Sequence, residues 1–365
     1  MNTSISRRRL LAVAAAVATL PLGVAGRAGA DPARLRLPAP TGPYPVGTVP
    51  LHLLGAPGGR ELMAGLWYPA GDVGRHPRAP WLAPAVLREL LVSAGFAPDA
   101  AATPLTSGHL DAPVRRAGGR LPVILYSHGA HDHRAGNTVV VQELASHGYA
   151  VVTVDHTGDA FVEFPDGRVL TPDPDLPMGP DDFAADIRFV LDRLGGKGLG
   201  GKTDFLDLRR VGMFGWSKGG TATAHLTMTD PRIRAGLSLD GPMQPAIAGT
   251  LERPFMMMTA EFTRAAEPSV AAFWEQLRGW RLNVLAEGAI HNGYGDYPGL
   301  ISQLAKAIGM SDEDLRGWIG TLDPARGIRI QQAYPLAFFD RHLRGRRGRL
   351  LDGPSRAFPE VEYLR

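Results

Sequence analysis

The chain has no cysteine among its 365 residues. Disulfide staples, thiolate nucleophiles and cysteine metal ligands are therefore excluded. Stability has to come from an apolar core, and 44% hydrophobic content over this length suffices to build one. Beyond residue 30 no apolar run is long enough to span a bilayer. Internal repeats and heptads are missing too. Nor does one charge dominate: 39 Lys and Arg stand against 36 Asp and Glu. The surplus of +3 comes from Arg7, Arg8, Arg9 and Arg27. Without the first thirty residues, which hold no acid, the formal charge is −1, so the basic pI gives no ground for a nucleic-acid partner.

What is present begins with those thirty residues. Ser6-Arg7-Arg8-Arg9-Leu10-Leu11 resembles a twin-arginine export signal, an apolar stretch runs to about Leu22, and Ala28-Gly29-Ala30 offers small residues for cleavage. The reading is a signal peptide over 1–30 and a secreted mature protein from Asp31. A cluster of Arg341, Arg344, Arg346, Arg347 and Arg349 near the C-terminus reads as a solvated helix end, with transient contact to a lipid interface as the lesser reading.

Residues 31–60 are rich in Pro and Gly and read as an extended lead-in. Glu61–Tyr68 reads as a strand, and 71–118 as an irregular excursion with one short helix, Ala85 to Ala94, long enough to wall or cover a site. From residue 121 strands and helices alternate. Leu121–Tyr126, Tyr149–Val154, Val211–Phe214, Ala235–Leu239, Phe255–Thr259 and Trp280–Ala286 read as strands. Thr138–His147 and a stretch opening at Pro180 read as helices, the latter with Phe183, Ile187, Val190, Leu191 and Leu194 at helical spacing. That alternation predicts one α/β domain over 31–365, with a mostly parallel central sheet and helices on both faces.

One segment carries chemistry on its face. Gly215-Trp216-Ser217-Lys218-Gly219 follows a predicted strand and precedes a predicted helix, the context in which a serine is exposed on a sharp turn as a nucleophile. A serine hydroxyl needs a base, an orienting acid and oxyanion donors. In this arrangement acid and histidine follow the serine in the chain. Of the three later histidines, His225 lies on the helix leaving the serine and His342 on an amphipathic C-terminal helix. His291 stands in a loop after a strand and is the expected base. Asp240 and Glu261 both end strands, and spacing alone divides them evenly. The oxyanion donors would be the backbone N–H groups of Lys218 and of Ala130, in the loop Tyr126-Ser127-His128-Gly129-Ala130. Trp216 and His128 are expected to touch substrate, and the Lys218 side chain to face solvent or the acyl entrance.

These segments resemble the plasma-type platelet-activating factor acetylhydrolase family, with its secreted bacterial esterase and lipase relatives, of the α/β-hydrolase superfamily. The resemblance rests on Thr41-Gly42-Pro43-Tyr44-Pro45-Val46-Gly47, Leu66-Trp67-Tyr68-Pro69, Tyr126-Ser127-His128-Gly129, Leu144-Ala145-Ser146-His147-Gly148-Tyr149, and the order in which they occur. It implies an α/β-hydrolase fold, a cofactor-independent ester hydrolase and a short-acyl ester or phospholipid substrate. It also implies Ser217, Asp240 and His291 as the catalytic set, since the family's acid belongs to a Leu-Asp pair matched by Leu239-Asp240. Glu261 is then a structural carboxylate. The chain departs from the family where Trp216 and Lys218 flank the serine.

Three rivals remain in view. The same triad could serve a broader lipase or polyester hydrolase. His128, His131 and His133, with Asp132, could form a metal-dependent hydrolase, although the familiar H-x-H-x-D-H spacing is not kept. A non-catalytic binding protein on the same scaffold is the third.

Overall fold

A computed structural model describes residues 31–115, 118–196, 199 and 201–364. The expected export signal lies outside the described residues. Eleven strands form the central sheet: β1 Val46–Ala56, β2 Arg60–Pro69, β3 Arg78–Pro80, β4 Leu105–Leu110, β5 Leu121–Ser127, β6 Ala150–Val154, β7 Leu206–Trp216, β8 Ile233–Leu239, β9 Phe255–Thr259, β10 Arg281–Ala286 and β11 Val361–Leu364. Their order across the sheet is β11-β10-β9-β8-β7-β5-β6-β2-β1-β4-β3. The six strands from β10 to β6 run parallel, and β2 and β11 join their flanks antiparallel.

Parallel strands need helical crossovers, and these cover both faces. Helices α1 Pro84–Ser93, α2 Thr138–Ser146, α3 Pro180–Gly195, α4 Lys218–Thr229, α5 Pro268–Gln276, α6 Tyr297–Ile308, α7 Asp312–Ile319 and α8 Pro324–Arg344 complete the main elements. Strand alternation sends Ile124 and Tyr126 to one face, where they pack with Val140 and Leu144 of α2 and Tyr334 and Phe338 of α8. Val123 and Leu125 face the other way, against Phe183 and Ile187 of α3 and Leu226 of α4. Because both faces are covered, β5 is buried along its whole length, which is why it reads as a continuous apolar run.

The predicted α/β class is the observed one, and four local expectations change. The lead-in 31–60 contains β1, which pairs with β2 along nearly its full length; Pro50 and the glycines hid it. The stretch 71–118 is less irregular than expected, since β4 adds to the main sheet beside β1 and β3 pairs with β4. Its helix α1 packs through Val86, Leu87 and Leu91 in a cluster with Leu300 and Leu304 of α6. The C-terminal helix α8, expected only around His342, begins as early as Pro324 and carries Pro335 within it. Among the C-terminal arginines, Arg344 is not solvated: it lies over the Tyr149 ring at 3.6 Å and donates to the His147 carbonyl at 2.8 Å.

Candidate active site

Strand β7 ends at Trp216 and helix α4 begins at Lys218, so Ser217 alone makes the turn, at φ 55° and ψ −120°. A non-glycine residue in such a conformation costs about 1–3 kcal/mol and persists only where its surroundings hold it. Here the Ser217 amide donates to the Leu239 carbonyl at 2.9 Å. The flanking glycines are steric necessities. A Cβ on Gly215 would sit 2.2 Å from the Gly219 carbonyl oxygen, and one on Gly219 would sit 2.1 Å from that of Ser127.

The turn presents Ser217 to the end of β10. His291 opens a short turn there, and its Nε2 lies 2.9 Å from Ser217 Oγ. Its Nδ1 lies 2.7 Å from Asp240 Oδ2. Asp240 is fully buried and accepts the amides of Ala260 at 2.7 Å, Phe262 at 2.9 Å and Glu261 at 3.2 Å. Those three donors fix the carboxylate and leave it facing the imidazole. An accepting carboxylate at Nδ1 puts the proton there and the Nε2 lone pair toward the serine hydroxyl, the tautomer a general base requires. The ring is gripped by Trp216, 5.0 Å away and tilted by 30°, and by the edge of Phe262 at 5.0 Å. Trp216 Nε1 also donates to the His291 carbonyl at 3.0 Å, so this residue holds His291 by ring and backbone alike.

Glu261, the other candidate acid, approaches the same histidine from a different side: its Oε1 accepts the His291 backbone amide at 3.0 Å. His225 pairs with Asp181 and His342 lies against Trp280 with the rings tilted, both apart from this group.

The loop Tyr126–Ala130 runs beneath the elbow. A Cβ on Gly129 would lie 2.4 Å from the Trp216 ring and 3.1 Å from Ser217 Cβ, so glycine alone allows this approach. Among the described hydrogen bonds, neither the Ala130 nor the Lys218 amide has a protein acceptor. Two unused N–H groups beside a serine are what a developing oxyanion would need.

Two expectations require correction here. His128 does not reach a substrate: it is fully buried, its Nε2 accepts the His156 amide at 3.0 Å, and its Nδ1 lies 2.6 Å from the Gly129 carbonyl. A backbone amide can only donate, so the proton of His128 sits on Nδ1. Burial, with the neighbouring His156, holds its pKa well below the usual histidine range. The Lys218 side chain also differs, turning away from solvent. It is largely enclosed, donating to Asp159 Oδ2 and, at 2.7 Å, to the Met178 carbonyl.

The histidine-rich loop does not converge on a common point. His131 is half exposed, while His133 is buried beside Trp81, with burial taking its pKa down to about 3. Among the described residues no group of three His, Cys, Asp or Glu is placed to hold a metal ion.

Sequence reasoning missed two supports. Ser127 Oγ lies 2.8 Å from His156 Nε2, His156 Nδ1 lies 3.0 Å from Asp186, and Arg60 pairs with Asp186 at 2.6 Å. This buried chain underlies the loop Tyr126–Ala130; an aspartate on the apolar face of α3 was its one visible sign. Asp296, five residues beyond His291, accepts the first amides of α2 from Thr138 and Val139 at 2.9 and 2.8 Å, and Trp81 Nε1 at 2.8 Å. The 71–118 excursion thus supports the histidine loop through Trp81. A separate cavity of about 350 Å³, lined by Thr41, Glu143, His147 and α8, includes none of the triad or oxyanion residues.

Residues 30–162 match the family described as platelet-activating factor acetylhydrolase, isoform II. A probable 1-alkyl-2-acetylglycerophosphocholine esterase of Arthroderma benhamiae is 29% identical over 266 residues, which span 67% of this chain and 66% of the fungal protein. The platelet-activating factor acetylhydrolase of Cavia porcellus is 21% identical over 72% of this chain and 69% of its own length. Among solved structures, a ferulic acid esterase from Streptomyces cinnamoneus superposes with a TM-score of 0.78. It is 34% identical, and the match covers 91% of this chain and all of that one.

Proposed function

Because the chain belongs to the platelet-activating factor acetylhydrolase-like family of the α/β-hydrolases, a family of carboxylic ester hydrolases, we propose that it is a secreted serine esterase acting on short-acyl esters or phospholipids. The observation that carries this reading is the Ser217–His291–Asp240 array, with both hydrogen bonds below 3.0 Å. His291 Nε2 takes the Ser217 proton as Oγ attacks the ester carbonyl, and Asp240 stabilises the imidazolium that forms. The Ala130 and Lys218 amides receive the oxyanion. As the tetrahedral intermediate collapses, His291 returns the proton to the leaving alkoxide. Water, deprotonated by the same base, then cleaves the acyl-serine. Residues 31–365 act as one catalytic domain, and the arginine motif Ser6–Leu11 supports export.

An aromatic acyl group is the second reading. It is favoured by the ferulic acid esterase, similar over the whole of its length, and by the Trp216 indole in the elbow itself. One experiment separates the possibilities. Purified protein is labelled with a serine-directed organophosphonate and assayed on p-nitrophenyl esters of rising chain length, an sn-2 short-acyl phospholipid and methyl ferulate. Wild type is expected to label and Ser217→Ala not to. Failure of wild type to label would remove the enzyme reading. Preference for long chains or for the ferulate would replace the short-acyl assignment and keep the triad.

A further inference from the structure

Lys218 directly follows the serine of the elbow, and its side chain has an unexpected connection. Its ammonium bonds Asp159 Oδ2, while Asp159 Oδ1 accepts the backbone amide of His131 at 2.5 Å. Asp159 is 3% exposed, so the pair sits in a low-dielectric setting where both its charge and its geometry are consequential. A single carboxylate therefore ties together two segments: the residue after Ala130 on one side, and Lys218 itself on the other. Those segments carry the two unused amides. The ammonium also lies 5.0 Å above the Phe183 ring, which limits its sideways movement.

The loop peptides fix the direction of the donor. His128 Nδ1–H holds the Gly129 carbonyl on the buried side. A trans peptide places N–H and C=O on opposite sides, so the Ala130 N–H points away from that buried ring. Asp159 then holds the next amide, that of His131, and prevents the Ala130 peptide from rolling. No other side chain among the described hydrogen bonds links 129–131 to 217–219, so this pair adds a polar tie to a contact otherwise made by packing.

We propose that Asp159 and the Lys218 side chain are a positioning pair that sets the spacing of the oxyanion donors across the elbow. The inference deepens the esterase reading and rests on it. Neither side-chain group touches the reacting atoms; both act through the amides of Ala130 and Lys218. The arrangement gives a chemical reason for a lysine at this position: methionine or phenylalanine could fill the space without bonding to the loop. It also recruits the Met178 carbonyl, so the segment 171–179, with exposed Leu176, is anchored to the same ammonium.

The test uses Lys218→Met, Asp159→Asn and the double variant of the mature chain. Steady-state constants on p-nitrophenyl acetate are measured with affinity for an arylboronic acid, which forms a tetrahedral adduct on the serine. Each single variant is expected to lower kcat about 10- to 100-fold, the scale of a displaced oxyanion donor or a 1 Å misplacement. KM should stay within about twofold, and boronate affinity should fall with kcat. The double variant should be no worse than the weaker single, because one connection is removed in each. Wild-type kcat in a folded Lys218→Met, or losses that multiply in the double variant, would overturn the proposal. If Asp159→Asn does not fold, Lys218→Met decides alone. Hydrogen exchange at the His131 amide supplies a readout without turnover: it should quicken at least tenfold in Asp159→Ala, which leaves that amide no oxygen to donate to. An inactive wild type would defeat the esterase reading, whereas an active wild type with unaffected variants would defeat only the brace.

Discussion

Glu261 holds His291 by its backbone while Asp240 holds it by its ring: the His291 amide donates to Glu261 Oε1 at 3.0 Å, and Nδ1 faces Asp240 Oδ2 at 2.7 Å. Two carboxylates that spacing could not rank thus address one histidine through different groups. Only the one at the ring can influence its tautomer. The other sets where the loop begins.

That division predicts unequal losses. Asp240→Asn should lower kcat by about 10⁴, the scale on which losing the orienting acid of a Ser-His-Asp triad acts. Glu261→Gln should cost no more than about tenfold, because an amide oxygen can still accept from the His291 backbone. Measured kcat on one activated ester ranks them, and equal losses would mean that Glu261 shares the role of Asp240.

Trp216→Phe removes the indole N–H that donates to the His291 carbonyl and keeps an aromatic face against the ring. A single neutral hydrogen bond is worth about 1 kcal/mol, or roughly fivefold. kcat should fall by about that factor while organophosphonate still labels Ser217 completely. A drop beyond a hundredfold would give Trp216 a direct part in the chemistry.

Gly129→Ala places a methyl group within the Trp216 ring. Overpacking of this kind costs about 1–3 kcal/mol, and the relief available is movement of the oxyanion loop. Thermal melting should show the lower stability and kinetics a still larger loss in kcat. A variant with wild-type kcat would place the donors elsewhere.

Asp132 is buried, Tyr297 donates to its Oδ1 at 2.5 Å, and its Oδ2 has no hydrogen-bond partner among the described residues. Burial raises its pKa to about 7. The sign follows from proton binding: between the ordinary aspartate pKa near 4 and 7 the folded state holds more protons, so this group's contribution to stability declines as pH rises through that window and is flat above it. Asp132→Asn removes the titration. The melting temperature of the variant relative to wild type should therefore climb from pH 5 to pH 8; a constant difference would exclude an ionising Asp132.

The strand–turn–helix around Ser217 was legible because apolar β7, two glycines and a helical pattern meet within a dozen residues. His291 was reachable by elimination, and Asp240 only by likeness to a family, since distance between loops is not a local signal. Strand β1 escaped because Pro50 and the glycines at 55, 58 and 59 resemble a loop, and its status depends on β2 accepting it as a partner. The Lys218 side chain was misjudged for a related reason. Adjacency to the serine described only its backbone, whereas its partner Asp159 lies 59 residues earlier, in a loop with no pattern of its own.

Asp296 joins the histidine loop to the first turn of α2, a helix with every residue buried. The loop of His291 therefore belongs to the same cooperative block as the core and is not a detachable flap. On slow heating, esterase activity and far-ultraviolet helix signal should disappear together, with no temperature range in which a folded protein has already lost its catalytic power.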